Sequence, residues 1–352
     1  MSPSSQQTPG DIADMLRVAY FGSDAFSVIC LQQLLPLLKS PNPIISHLDI
    51  ITRSPKPSGR GMRQLKEVQL ATFAVTENLP LLRADRKVDF SSLAANNYDL
   101  AIAVSYGKLI PSTFLTSLRN GGLNVHPSIL PRHSGPAPLQ RALLDHDPVS
   151  GVTVQNLHPT EFDKGDIIAI EEHHIKREET ISSLSETLAT AGGKLLVKVL
   201  KTKAYDMKSP NFAPLKPTVE FSYAAKVQPA ERQVTWQEAT KFDVLRKYNT
   251  LGQVYTNMRT TARKGKPEGL KRVVFPNVIE SVCPLTESSA QLPNGSFSLN
   301  EQTGTLDIKV EDGYISVDQV KTEGIGAESP AKFFNSLKKK FGHSDALFVY
   351  QQ

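Results

Sequence analysis

The chain of 352 residues is longer than one ordinary domain and suits two. Hydrophobic residues make up 39% and charged residues 21%, a globular balance that excludes full disorder and low complexity. The 40 Lys and Arg against 35 Asp and Glu leave a net charge of +5, which permits a polyanionic partner without requiring one.

Two cysteines, Cys30 and Cys283, lie far apart and lack ligand spacing. A disulfide framework or zinc knuckle is therefore not expected, and a reducing compartment fits. No apolar run approaches the roughly 20 residues of a membrane-spanning helix, so no membrane partner is expected. Residues 1–15 are rich in Ser, Gln and Pro, hold no base and carry Asp11 and Asp14. That composition reads as a flexible terminus and as a poor import presequence.

From Leu16 the pattern alternates strand and helix. Leu16 to Phe21 reads as a strand, and Asp24 as the cap of a helix from Ala25 to Leu38. Leu48 to Thr52 is a second strand, Gln64 to Asn78 a helix and Leu79 to Leu82 a strand. Asp99 to Ser105 is apolar on both faces, as central parallel strands are. Gly122 to His126 is a strand and Pro138 to Leu144 a helix. Gly151 to Leu157 and Asp166 to Glu171 are two more strands. Glu179 to Lys203 is an amphipathic helix carrying Ile181, Leu184, Leu188, Ala191 and Leu195 on one stripe.

This order predicts an open parallel sheet with helices on both faces. The first domain spans 16–203. Residues 204–217, with Pro210, Pro214 and Pro217, read as a linker. From 218 to 352 a short helix near Glu238 to Tyr248 precedes β-rich pieces at Arg272 to Phe275, Leu306 to Val310 and Tyr314 to Val317. Asn294-Gly295 and Asp312-Gly313 are turn dipeptides. A smaller OB-like β-barrel fits this second domain.

The GxGxxG and GxxxxGK[ST] signatures are absent, which disfavours NAD binding and a P-loop. The densest chemistry lies in Asn124 to Pro138. Asn124 and His126 alternate onto one face at a strand end, where open α/β sheets bind ligands. An amide and an imidazole held by a proline-stiffened loop suit stabilisation of an oxyanion. Asp163, in the loop Glu161 to Asp166, could orient His126 and favour its charged form. Taken alone, the first motif is a strand-end histidine and the second a turn.

Arg53 to Lys66 holds five bases and no acid, a cationic loop suited to phosphates. Arg259, Arg263, Lys264, Lys266, Lys271 and Arg272 cluster in the second domain, and Lys338 to Lys340 add three more. Such runs are either solvated faces or a nucleic-acid surface.

Together these residues resemble the formyltransferase family. Its Asn-x-His, Ser-Leu-Leu-Pro-type turn and Gly-x-x-Pro segment are matched by Asn124-Val125-His126-Pro127-Ser128-Ile129-Leu130-Pro131 and Gly135-Pro136-Ala137-Pro138. Its distal Asp-x-Gly loop is matched by Asp163-Lys164-Gly165-Asp166. Val18 to Ser23 is similar to the family's opening strand, and Ser105 to Pro111 to its pocket strand. Lys56 to Gly61 is similar to the loop that wedges against the acceptor stem in the tRNA-modifying members. Tyr223 to Val227 and Trp236 are similar to the start of their tRNA-binding domain.

The resemblance implies a Rossmann-like sheet and acyl transfer from 10-formyltetrahydrofolate, without a metal. The acceptor it implies is the α-amine of methionyl initiator tRNA. Asn124 and protonated His126 would donate to the oxyanion, and Asp163 would hold His126 and help relay a proton. The donor pocket would use Tyr106, Gly107, Ser128, Leu130 and Pro131. The tRNA would be held by Arg53, Lys56, Arg60, Arg63, Lys66, Arg263, Lys264, Lys266, Lys271 and Arg272. A monomer in the mitochondrial matrix is implied, with the cytoplasm as the alternative. His158, Pro127 and Ser134 depart from residues common in the family. Two other readings stay open: a folate-dependent formyltransferase acting on a small amine such as an amino-sugar nucleotide, and a non-catalytic RNA-binding module.

Overall fold

The computed structural model describes residues 15–350, apart from 59, 60, 62, 63, 211, 263, 264, 266 and the side chain of 289. The chain forms two compact units. The first runs to Lys176 and includes Ser182–Lys226; the second is Arg177–Ile181 with Val227–Gln352. The segment 204–226 thus counts with the first unit, where the sequence suggested a linker over 204–217 and a second domain from 218. Leu215 bridges to Ile167, and Tyr223 to Ser134, so this Pro-rich stretch is held by backbone pairing.

In the first unit the elements are β1 (Leu16–Gly22), α1 (Ala25–Lys39), β2 (Ile45–Thr52), β3 (Lys56–Ser58), β4 (Gln64–Lys66) and α2 (Gln69–Thr76). They continue with β5 (Leu81–Arg83), α3 (Lys87–Ala94), β6 (Leu100–Val104), α4 (Ser112–Leu115) and β7 (Gly122–His126). The last are α5 (Pro138–Leu144), β8 (Val149–Asn156), β9 (Ile167–His174) and α6 (Ile181–Lys201). One seven-stranded sheet has the order β5-β2-β1-β6-β7-β8-β9. Its first five strands are parallel, but β7–β8 and β8–β9 pair antiparallel. The sheet is therefore mixed where an all-parallel one was expected. Residues 157–166 alone separate β8 from β9, fewer than the dozen or so that a parallel crossover takes.

Asp24 caps α1 as expected, its side chain accepting from the Ser27 N–H. The expected helix over Gln64 to Asn78 begins only at Gln69. Gln64–Lys66 instead pairs with Lys56–Ser58 in an antiparallel hairpin, a cross-strand pairing that overrides the helical pattern of this stretch. Every residue of β6 is buried, as its apolar run implied. Ala101 and Ala103 join an aromatic cluster with Phe21, Phe90, Tyr106 and Phe114. Elsewhere α6 lies very close to the sheet. A Cβ on Gly192 would stand 2.8 Å from Val125 and 2.9 Å from Val152, so only glycine allows this approach.

The second unit carries α7 (Lys241–Leu251), β10 (Val254–Thr260), β11 (Gly269–Phe275), β12 (Ile279–Glu280) and β13 (Phe297–Asn300). It continues with β14 (Thr305–Val310), β15 (Gly313–Val317), β16 (Val320–Thr322) and β17 (Gly326–Glu328). Thr240 and Asp243 form a reciprocal capping box at the start of α7. The strands form two four-stranded sheets, β10-β11-β16-β17 and β12-β15-β14-β13, with antiparallel pairing. The β14–β15 turn is Glu311-Asp312, closed by the Val310–Gly313 pair, so of the expected Asp312-Gly313 dipeptide the glycine already opens β15. One core holds Trp236, Phe275, Phe297, Phe333 and Phe348. The buried Trp236 indole donates to Thr256 Oγ1 at 2.8 Å. Lys340, read in sequence as part of a cationic run, forms a buried ion pair with Glu328.

Candidate functional site

The chain order leaves β1 in one direction toward β2 and β5, then returns to β6 on the other side. At such a switch point the loops part and open a crevice beyond the carboxyl ends of the strands. A cavity of about 690 Å³ opens there, lined by Asp24 after β1, Ser105 to Ile110 after β6, and Asn124 to Pro127. Gln155 and Asn156 at the end of β8, the 157–164 loop, and Phe221, Tyr223 and Lys226 complete it.

Asn124 and His126, two apart on β7, meet Asp163 in this cavity. His126 Nδ1 stands 3.3 Å from Asp163 Oδ1, with both side chains buried. Asn124 Nδ2 donates to the same oxygen at 3.5 Å and Gln155 Nε2 at 3.4 Å. The other oxygen, Oδ2, accepts a firm bond from the Gly135 N–H at 2.8 Å. Asp163 is thus anchored through one oxygen and loosely approached by three donors through the other. His126 Nε2 lies 3.0 Å from the His133 carbonyl. Both ring nitrogens face acceptors, and only the doubly protonated ring donates to both.

The loop carrying Asp163 is tightly seated. Asp163 has φ +55°, in the left-handed region. A Cβ on Gly165 would lie 1.7 Å from the Asn156 carbonyl oxygen. His158 departs from the residue common in the resembling family, and here its Nδ1 accepts from the Glu161 N–H at 3.1 Å. It therefore does the turn-capping that a side-chain carboxylate can do.

Of the expected donor pocket, Tyr106 and Gly107 line the cavity. Ser128, Leu130 and Pro131 are not among the described lining residues. Ser128 and Leu130 are buried behind the His126 loop: Ser128 Oγ donates to the Arg132 carbonyl at 2.7 Å, and the Leu130 N–H to Thr153 Oγ1 at 3.1 Å. They brace the loop's turn instead. Arg53 is half-buried near β3, and Lys56 and Lys66 are exposed on the hairpin. In the second unit Lys271 is half-buried and the Arg272 guanidinium lies 4.3 Å over the Tyr255 ring. Arg60, Arg63, Arg263, Lys264 and Lys266 lie outside the described residues.

Sequence reasoning missed Gln155, a polar residue at the end of a buried strand. Its Oε1 and the Asn156 Nδ2 are buried without a hydrogen-bond partner among the described residues, at the cavity wall. It also missed Asp24 as a cavity residue. Desolvation pushes the Asp24 carboxyl above its ordinary range, against hydrogen bonds from Ser27 and Ser105. Phe162, Phe221 and Tyr223 stand exposed at the cavity, with Lys164 Nζ 4.4 Å over the Phe221 ring.

Residues 16–200 match the family model described as formyl transferase. The mitochondrial methionyl-tRNA formyltransferase of Saccharomyces cerevisiae is 30% identical, covering 95% of this chain and 92% of the relative. The human mitochondrial enzyme of that name is 28% identical over 86% of this chain and 74% of its own length. The methionyl-tRNA formyltransferase of Caldicellulosiruptor saccharolyticus is 27% identical over 92% of this chain and 98% of its own length. Among solved structures, HypX from Aquifex aeolicus in complex with tetrahydrofolic acid superposes with a TM-score of 0.54 at 17% identity, covering 96% of this chain and 51% of that one. The sugar 3N-formyl transferase WlaRD gives 0.54 at 16% identity over 86% and 97%.

Proposed function

The chain belongs to the formyl transferase family, and on that premise we propose that it transfers the formyl group of 10-formyltetrahydrofolate to the α-amine of methionyl initiator tRNA. The observation that carries the proposal is the convergence of Asn124, His126 and Gln155 on Asp163 inside the cavity. The relatives' names supply the acceptor, and the tetrahydrofolic acid complex of a similarly folded protein supports the donor.

An α-amine has a pKa of roughly 7.7–8.0, so much of it is already a neutral nucleophile near pH 8 and needs placement more than activation. Its attack on the formyl carbon makes a tetrahedral oxyanion. Asn124 Nδ2 and His126 Nδ1 hold Asp163 Oδ1 only loosely, at 3.5 and 3.3 Å, so both N–H groups can be shared with the oxyanion without the His126 ring turning, while the Gly135 N–H keeps Asp163 in place. Collapse breaks the bond to N10 of the folate. The amine gives up a proton, through water to the His126–Asp163 pair, and N10 takes one. The unpaired Gln155 Oε1 and Asn156 Nδ2 are an acceptor and a donor available to the bound substrates.

The two antiparallel sheets of the second unit support its reading as an OB-like tRNA-binding domain. The exposed Lys56 and Lys66 of the hairpin, with Arg53, would meet the acceptor stem, and Lys271 and Arg272 the remainder of the tRNA. The mitochondrial relatives favour the mitochondrial matrix. The test is a formyl-transfer assay with 10-formyltetrahydrofolate and methionyl initiator tRNA, with His126→Ala alongside. Transfer by the wild type and its loss in the variant are expected. Transfer to a nucleotide-linked amino sugar but not to the tRNA would overturn the acceptor assignment.

A further inference from the structure

His126 is held at both ends. Asp163 takes Nδ1, and the partner of Nε2 is a main-chain carbonyl, that of His133. The direction of that carbonyl is set by the backbone of His133, which has φ +55°. A β-carbon residue in the left-handed region is strained and persists only when its surroundings over-determine it. Here they do. The His133 N–H donates to Ser222 Oγ at 2.9 Å. Its ring Nε2 lies 2.7 Å from Asp147 Oδ2, with the imidazole 6% and the carboxylate 17% exposed. A carboxylate there only accepts, so Nε2 carries the proton. Asp147 is fixed in turn, its N–H donating to the Ala142 carbonyl of α5 at 3.0 Å.

We propose that His133, locked by Asp147 and Ser222, is a positioning residue that aims its carbonyl at His126 Nε2 and so fixes the ring for formyl transfer. The imidazole of His133 is buried and does not line the cavity among the described residues. Its influence on the chemistry runs through the carbonyl alone. The chain is continuous from the end of α5 to Asp147, from its carboxylate to the His133 ring, and from that backbone to His126. The inference rests on the formyl-transfer reading, but its spectroscopic arm does not.

The test uses the full chain and the variants Asp147→Asn, His133→Asn and Ser222→Ala. Asparagine tolerates the left-handed conformation, so His133→Asn keeps the backbone while deleting the ring pair. In Asp147→Asn, kcat for formyl transfer should fall about tenfold or more, with KM for folate and tRNA within about twofold, as expected for displaced chemistry. Added to His126→Ala, the same substitution should cost nothing further, because the group it positions is gone. Long-range ¹H–¹⁵N spectra of histidine-labelled protein should show the His126 Nε2 resonance shifted in all three variants. An unmoved His126 resonance with wild-type kcat in Asp147→Asn and His133→Asn would overturn the proposal. So would a loss that multiplies with that of His126→Ala, which would mark a general structural defect. If the wild type fails to formylate the tRNA, the functional reading falls and the resonances still decide the positioning.

Discussion

Replacing Gly165 by alanine tests whether the 158–166 loop sets the chemistry. The added Cβ would stand 1.7 Å from the Asn156 carbonyl oxygen, and real Cβ atoms essentially never come under 3.0 Å. Asn156 cannot yield, since it lies on β8 opposite Leu123. The loop must therefore retreat by about 1.3 Å to clear even the shortest tolerable contact. Asp163 sits two residues away, and its 3.3 Å contact with His126 is already long. A retreat of that size takes it out of hydrogen-bond range. Misplacement by about 1 Å costs on the order of 10²-fold in rate, or about 2.7 kcal/mol of barrier. Overpacking should also cost about 1–3 kcal/mol of stability, which leaves the protein folded at 25 °C. The assay is single-turnover formyl transfer on protein whose fold is checked by thermal melting. A Gly165→Ala protein within about threefold of wild type in rate would refute the idea that this loop's seat controls the site.

Two further predictions concern smaller parts. His158→Ala removes the acceptor for the Glu161 and Thr160 N–H groups, so kcat should fall several-fold, while His158→Asp should restore it. Single-turnover rates for the pair decide this, and an aspartate variant no better than alanine would count against the capping role. Asp89 accepts from the Arg86 and Asp85 N–H groups at the start of α3, which lowers its carboxyl from 3.8 to about 2. A depressed folded-state pKa stabilises the fold fully above the ordinary value, and that contribution is lost as pH falls through the folded one. Denaturant unfolding of wild type and Asp89→Asn should therefore differ near neutral pH and converge from about pH 4 down to about pH 2. A difference that persists at the acid end would exclude this origin.

Much of the site was readable because its logic is local. Asn124 and His126 share a face through strand alternation, and β7 and α5 occupy the residues their patterns marked. Strand direction was not readable. β8 and β9 look alike whichever way they run: their own connection is short for a parallel crossover, but β8 also runs antiparallel to β7 across a long connection that holds α5, which no local pattern marks. The 56–66 hairpin hid inside a helical pattern because its register depends on cross-strand pairing between Lys56 and Lys66. The role of His133 was invisible for a different reason. It acts through a backbone oxygen, and the residues that aim it lie 14 and 89 positions away.

The backbone of Ser222 to Ala224 has a consequence for how this protein divides. The Ser222 N–H reaches the Pro131 carbonyl, Ser134 donates to the Ser222 carbonyl, and Ala224 donates back to Ser134. This short strap laces the loop of His126 and His133 from a stretch of chain past residue 200, where the family match ends. A fragment cut at that boundary would retain Asn124, His126 and Asp163 and lose the lacing. The portion that carries the inherited signature is thus smaller than the portion that keeps its geometry, and any transplanted or minimal version must extend to Lys226.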